Sequence, residues 1–170
     1  MNATEVETSN EQSKRYFTLA EANQRLPLVR AIVSDIVELF RDVTERRQRL
    51  IDLIEHNQLG SKRVASPYTE ELEQMQADIQ ADVERLNAFA QELAELGIEL
   101  KDPNIGLIDF PTLVDGREAY LCWKLGEPEV GFWHELSAGV QGRQSVDDLR
   151  PQPRSQISNL KISNLKSQIP

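Results

Sequence analysis

The sequence predicts an α+β fold in which a long antiparallel helical hairpin packs on a small three-stranded antiparallel sheet. Three observations lead there. Two long apolar stripes at helical spacing occupy the first half of the chain, a short polar break separates them, and after Gly97 the pattern changes to short alternating runs with turn residues between them. A chain of 170 residues with a net charge of −9 is long enough for one domain with a substantial core and short for two.

The first stripe is Leu19, Ala22, Leu26, Val29, Val33, Ile36, Phe40, Val43, Arg47, Leu50 and Ile54. Its 3-4 spacing describes a narrow, coiled-coil-like seam on one helix. The start is marked by Thr18 as cap, Glu21 three residues on as its capping-box partner, and Phe17 placed to staple onto Ala22. Pro27 falls inside the stripe, where a missing amide proton and a crowded preceding turn predict a kink, or a short helix ending near Arg25 before a longer one. From Pro27 to Asn57 such a helix is roughly 45 Å long at about 1.5 Å per residue.

The second stripe is Leu72, Met75, Ile79, Asp82, Leu86, Phe89, Leu93 and Leu96. Ser66-Pro67 offers a cap followed by proline at the first helical position, with Glu70 and Glu71 at the positive helix end. Gly97 suits the left-handed residue after the last turn, with Ile98 folding back on Leu93. Folding the helices over each other brings Arg47 and Asp82, the charged members of the two stripes, about one turn apart. An interhelical ion pair fixing the register is one expectation; outward snorkelling of both side chains is the other.

Residues 105–114, 117–125 and 129–136 read as three strands, the first two joined by the hairpin dipeptide Asp115-Gly116 and the last two by Gly126-Glu127-Pro128. Counting from the first turn places Phe110 opposite Leu121 and Ile108 opposite Trp123. Pairing Leu125 with Val130 then sets Trp123 against Phe132. The apolar face becomes Ile108, Phe110, Leu121, Trp123, Leu125, Val130, Phe132 and Leu136, and the other face carries Asp109, Tyr120, Cys122, Lys124, Trp133 and Glu135.

The domain is thus expected over residues 15–146, with the hairpin at 18–97, the β-meander at 98–136 and a loop at 137–146. Residues 1–14 hold too little apolar surface to offset the entropy of ordering and are expected to be disordered. Residues 147–170 contain Ile157-Ser158-Asn159-Leu160-Lys161 repeated directly as Ile162-Ser163-Asn164-Leu165-Lys166, and read as a low-complexity, disordered tail.

Phe17-Thr18-Leu19-Ala20-Glu21-Ala22-Asn23 with Leu26-Pro27-Leu28-Val29, Gly106-Leu107-Ile108-Asp109-Phe110-Pro111, Leu121-Cys122-Trp123, Gly126-Glu127-Pro128-Glu129 and Trp133-His134-Glu135 together form a recognisable set. Over about residues 16–144 the chain resembles the domain of unknown function 2203 family of uncharacterised bacterial proteins. The resemblance supports the fold and brings no activity, ligand or catalytic residue with it.

The acidic balance argues against nucleic-acid binding, which needs concentrated Lys and Arg. Arg41, Arg46, Arg47 and Arg49 are interleaved with Asp42, Glu45 and Asp52, as on a salt-bridged helix surface. One cysteine, Cys122, rules out an internal disulfide and fits a reducing, cytoplasmic setting. No segment reads as a signal peptide or a membrane span.

Asp109, Glu127, Glu129 and His134 are the residue types that hold a divalent metal and activate water, with Cys122 and Glu135 nearby in sequence. The strand register above sets His134 and Asp109 on opposite faces, so a shared ion needs a bulge or another register. A core or boundary imidazole bonded to a backbone carbonyl or a helix side chain is the simpler expectation for His134, a solvated turn for Glu127 and Glu129, and a small buried side chain for Cys122. Cys122 as nucleophile lacks a base, since Asp109 opposite it would raise the thiol pKa. Residues 139–143 can cradle an anion with Arg143 adding charge, or simply turn. Trp133, on the mixed face, can anchor a partner.

No cofactor follows from these residues, apart from that divalent metal. The functional expectation is a non-catalytic interaction or assembly protein. Three strands of about eight residues span about 27 Å, less than the hairpin, so seam remains for a second copy or a helical partner. The competing reading is a small-molecule or metal-dependent enzyme with a carboxylate and His134 site at the sheet edge.

Overall fold

The computed structural model describes residues 14–59 and 67–149. The expectations for residues 1–13, for the hairpin loop and for residues 150–170 lie outside them. Helix α1 runs Leu19–Leu59 and α2 runs Pro67–Glu95. A five-stranded antiparallel meander follows: β1 Glu99–Asp102, β2 Leu107–Val114, β3 Arg117–Lys124, β4 Phe132–Glu135 and β5 Gln144–Ser145, in spatial order β1-β2-β3-β4-β5.

The helix signals read from the sequence have direct counterparts. The Thr18 amide donates to Glu21 Oε2 at 2.8 Å and the Glu21 amide donates to Thr18 Oγ1 at 3.2 Å, closing a reciprocal capping box. Gly97 takes φ +81°, and the Ile98 amide reaches back to the Leu93 carbonyl at 3.0 Å, so α2 ends in a Schellman turn. Helix α1 continues unbroken through Pro27, and the short first helix ending near Arg25 does not occur. One missing amide bond is tolerated because Leu26 and Val29, on either side of the proline, are buried in the core.

The sheet has five strands where three were expected. Strand β1 is four residues of Glu-Leu-Lys-Asp with one large apolar side chain, and β5 is a dipeptide, so neither carries a readable alternation. The stretch expected as a loop, 137–146, contains a 3₁₀ turn at Val140–Gly142, strand β5 and the first residue of a second 3₁₀ turn, Val146–Leu149. The first hairpin register holds: Val114 pairs with Arg117, Phe110 with Leu121 and Ile108 with Trp123. Asp115 and Gly116 have φ of +52° and +75°, the pattern of a type I′ turn.

The second register is different by one residue. Cys122, not Trp123, pairs with Phe132, Leu121 pairs with Trp133, and Tyr120 pairs with His134. Val130 does not pair with Leu125, because its amide is taken by Asn23 Oδ1 of α1 at 2.8 Å. The turn is held from inside by Glu127, whose carbonyl accepts from Trp123 Nε1 at 3.1 Å and whose Oε2 accepts from the Lys124 amide at 2.8 Å. The slip turns every β4 side chain to the opposite face. Trp133 therefore lies in the core, 8% exposed, while Phe132 is on the far face and 37% exposed; Leu136 is also exposed.

One face of the sheet packs on the hairpin. Ile108, Phe110, Leu121, Trp123, Val130 and Trp133 join Ala22, Leu26, Val29, Val33, Ile36 and Leu93 in one buried cluster. Phe17 closes its end, edge-on to Phe110 at 5.4 Å, with its amide donating to the Pro111 carbonyl. Buried Val43 and Ile79 mark the far limit of the packed seam.

Candidate functional site

The corrected register brings three chemically versatile side chains together on the sheet face away from the helices. Asp109 in β2 pairs with Cys122 in β3, and His134 in β4 stands on the same side beside Tyr120. One potential ligand atom from each of Asp109, Cys122 and His134 lies within 4.8 Å of the others, and all three residues are buried. His134 Nε2 is 3.1 Å from Asp109 Oδ2, and its Nδ1 is 3.0 Å from the Glu135 carbonyl. That carbonyl can only accept, so Nδ1 carries a proton. One further proton then lies between Nε2 and the Asp109 carboxyl.

Neighbouring side chains seal this cluster. The Tyr120 ring lies 5.4 Å from the imidazole, and the Tyr120 hydroxyl donates to Glu99 Oε1 at 2.9 Å. Lys101 Nζ sits 2.5 Å from Glu99 Oε2, 4.0 Å from Asp109 Oδ2 and 4.9 Å above the Tyr120 ring. Burial raises the Tyr120 hydroxyl pKa, and the Glu99 carboxylate raises it further. The Cys122 thiol is pushed up to about 12, first by burial and then by the negative charge of Asp109. In the metal-free cluster it is a thiol at neutral pH and a poor nucleophile. Asp109 Oδ1 is buried without a hydrogen-bond partner.

The other sequence candidates supply no donor to this cluster, although Arg143 and Glu127 act on the Cys122 thiol through space, the first lowering and the second raising its pKa. Glu127 accepts twice from Arg143 Nη2, at 2.8 Å to each carboxylate oxygen, and Glu129 is exposed. The Arg143 guanidinium also stacks 4.3 Å above Phe132, so the cation considered as an anion anchor is held by a carboxylate of its own chain. Asp82 pairs with Arg46 and, at 3.0 Å, with Arg85; Arg47, the expected partner, is exposed. Both arginines lower the Asp82 carboxyl pKa, Arg46 the more strongly. Residues 46 and 47 are adjacent on α1, and the two-sided stripe pattern could not separate them. Glu99 and Lys101 beside the cluster were not singled out in the sequence, since β1 carries no pattern that marks it as a strand; Tyr120 was placed on the right face of β3 but given no role.

A second feature lies on the hairpin where the sheet ends. A groove of about 250 Å³ is lined mainly by Ile36, Phe40, Val43, Val83, Leu86 and Leu100, with Arg47 on its wall. Beyond it Ile51, Leu53 and Ile54 are exposed near the distal end of α1.

A family model described as an uncharacterized conserved protein (DUF2203) matches residues 15–146. No curated protein and no solved structure matches the chain. No helix among the described residues is long and apolar enough to cross a membrane.

Proposed function

The chain belongs to the DUF2203 family, and we propose, on its own geometry, that it is a non-catalytic assembly protein that pairs with a second copy through the part of the hairpin the sheet leaves uncovered. The observation that carries this reading is the groove between Phe40 and Leu86, with Ile51 and Ile54 exposed farther along α1. At about 1.5 Å per residue α1 is roughly 60 Å long, while the longest strands span about 27 Å. The same stripe that is buried at Val29, Val33 and Ile36 continues past the sheet.

Charge favours a second copy as the occupant. Arg85 is the one basic residue in the α2 sequence among many carboxylates, whereas Arg47 stands exposed on the groove wall of α1; Arg41, Arg46 and Arg49 pair with Asp42, Asp82 and Glu45 of their own chain. In a two-fold arrangement α2 of one copy lies along α1 of the other, and the relation repeats by symmetry. Arg47, exposed on the groove wall, then faces acidic side chains.

The competing enzyme reading needs a carboxylate and imidazole site that a substrate can reach. Asp109 and His134 meet, yet both are closed off, and Glu127 and Glu129 lie elsewhere. Light scattering and sedimentation of the full chain across the micromolar range test the proposal. A dimer is expected, with Phe40→Glu and the exposed-site variant Ile54→Glu shifting it to monomer at unchanged helical circular dichroism. A wild-type monomer throughout that range overturns it.

A further inference from the structure

We propose that Asp109, Cys122 and His134 form a binding site for a zinc-like divalent metal, with one oxygen, one sulfur and one nitrogen donor supplied by three adjacent strands. Geometry comes first. In tetrahedral zinc sites, ligand bonds of about 2.0–2.3 Å set the donors about 3.3–3.8 Å apart. The His134 and Asp109 donors already stand 3.1 Å from each other, and all three residues offer donors within 4.8 Å. Strand pairing sets Asp109 directly against Cys122, so at most about an ångström separates the donors from tetrahedral spacing.

The donor set selects the metal class. Magnesium and calcium take all-oxygen shells, and copper(I) takes sulfur-rich ones. A mixed thiolate, imidazole and carboxylate set is zinc chemistry. The imidazole is oriented for it, because the Nδ1–H to Glu135 carbonyl bond leaves Nε2 as the donor, the outer-shell arrangement that supports metal-bound histidines.

Asp109 Oδ1 supplies an independent indication. A wholly buried carboxylate oxygen with no hydrogen-bond partner is costly, and a cation beside it removes that cost. Lys101 does not fill the role, since its ammonium sits 4.0 Å from the other oxygen, Oδ2, and is paired with Glu99. Charge balances when the metal enters. The Cys122 thiol loses its proton, the proton between His134 Nε2 and Asp109 leaves to solvent, and three protein–metal bonds form with no electron transfer, a water molecule filling the fourth tetrahedral position. Thiolate and carboxylate together neutralise the divalent charge. Because all three ligands are buried, with Tyr120 against His134 and Lys101 beside Asp109, the metal would brace β2, β3 and β4 against one another and perform no hydrolysis.

The test uses untagged full-length protein produced in zinc-supplemented medium and desalted without chelator. Elemental analysis is expected to find one zinc per chain, falling to near zero in Cys122→Ser and His134→Gln. Protein produced with cobalt instead is expected to show the thiolate-to-cobalt charge-transfer absorption in the near ultraviolet, absent from Cys122→Ser. The wild-type cobalt spectrum decides even if a variant fails to fold. Folded wild-type protein that carries neither zinc nor cobalt overturns the proposal, as does metal content unchanged by both substitutions in folded variants.

Discussion

His134 Nε2 lies 3.1 Å from Asp109 Oδ2, bridging β4 and β2 across the intervening β3, with both side chains almost wholly buried. Such a pair is asymmetric in its energetics: removing one member strands the other, while replacing both with apolar groups removes the desolvation problem altogether. In metal-free protein, His134→Leu should cost about 3–5 kcal/mol in urea unfolding, because the buried Asp109 carboxylate then loses its imidazole partner and keeps only the more distant Lys101 ammonium, 4.0 Å from Oδ2. Asp109→Leu combined with His134→Leu should cost markedly less than the sum of the single changes. Additive losses would show that the two side chains are not energetically coupled.

This pair also marks where sequence reasoning stops. The Asp115-Gly116 turn has only two residues, so the register of β2 against β3 could be counted, and it is found as counted. The turn between β3 and β4 is longer and is held by contacts that no local pattern encodes: Asn23 on α1 accepting from the Val130 amide, and Arg30 on α1 donating to the Glu127 and Pro128 carbonyls. A one-residue difference in that register decides whether His134 shares a face with Asp109 and whether Trp133 enters the core. The helices were legible because caps and stripes are local and repeat many times; β1 and β5 were not, because two to four residues carry no period.

The capping box makes a pH-dependent prediction. The Thr18 amide, and then its hydroxyl, lower the Glu21 carboxyl pKa below its ordinary value of 4.5. A depressed acid contributes stability that is fully present above 4.5 and is lost as pH falls through the lower, folded-state value. Thr18→Ala should therefore cost about 1 kcal/mol at neutral pH, the usual worth of an N-cap. The gap between variant and wild type in urea titrations should shrink as pH is taken below 4.5. A gap independent of pH would mean that the Thr18 hydroxyl adds nothing to the Glu21 carboxylate beyond the backbone amide, which the alanine variant keeps.

Gly106 and Gly116 both adopt positive φ, +64° and +75°, yet their surroundings differ. A Cβ on Gly106 would come within 2.7 Å of Val33 Cγ1 and 2.8 Å of Leu125 Cβ, whereas one on Gly116 meets nothing within 4 Å. Gly116→Ala should cost only the left-handed strain, about 1–2 kcal/mol. Gly106→Ala adds overpacking between α1 and the sheet of about 1–3 kcal/mol. Thermal melts of the two variants should separate clearly, with Gly106→Ala the less stable; equal melting temperatures would contradict the close approach of α1 at this point.

Arg143 ties the last part of the domain to the β3–β4 turn. Its Nη2 donates to both oxygens of Glu127 at 2.8 Å, its ring-like plane covers Phe132 at 4.3 Å, and Glu127 in turn holds the Lys124 amide. Lysine keeps the charge but loses the planar stack and the forked geometry, so Arg143→Lys is not conservative here. Loss of these charge-assisted bonds should lower stability by about 1.5–3 kcal/mol. The loosening should be local as well as global. Hydrogen exchange at the Val146 amide, which donates to the Gly131 carbonyl across the same junction, should speed up before exchange in β2 and β3 does. Unchanged exchange at Val146 would show that β5 is held by its pairing with β4 alone.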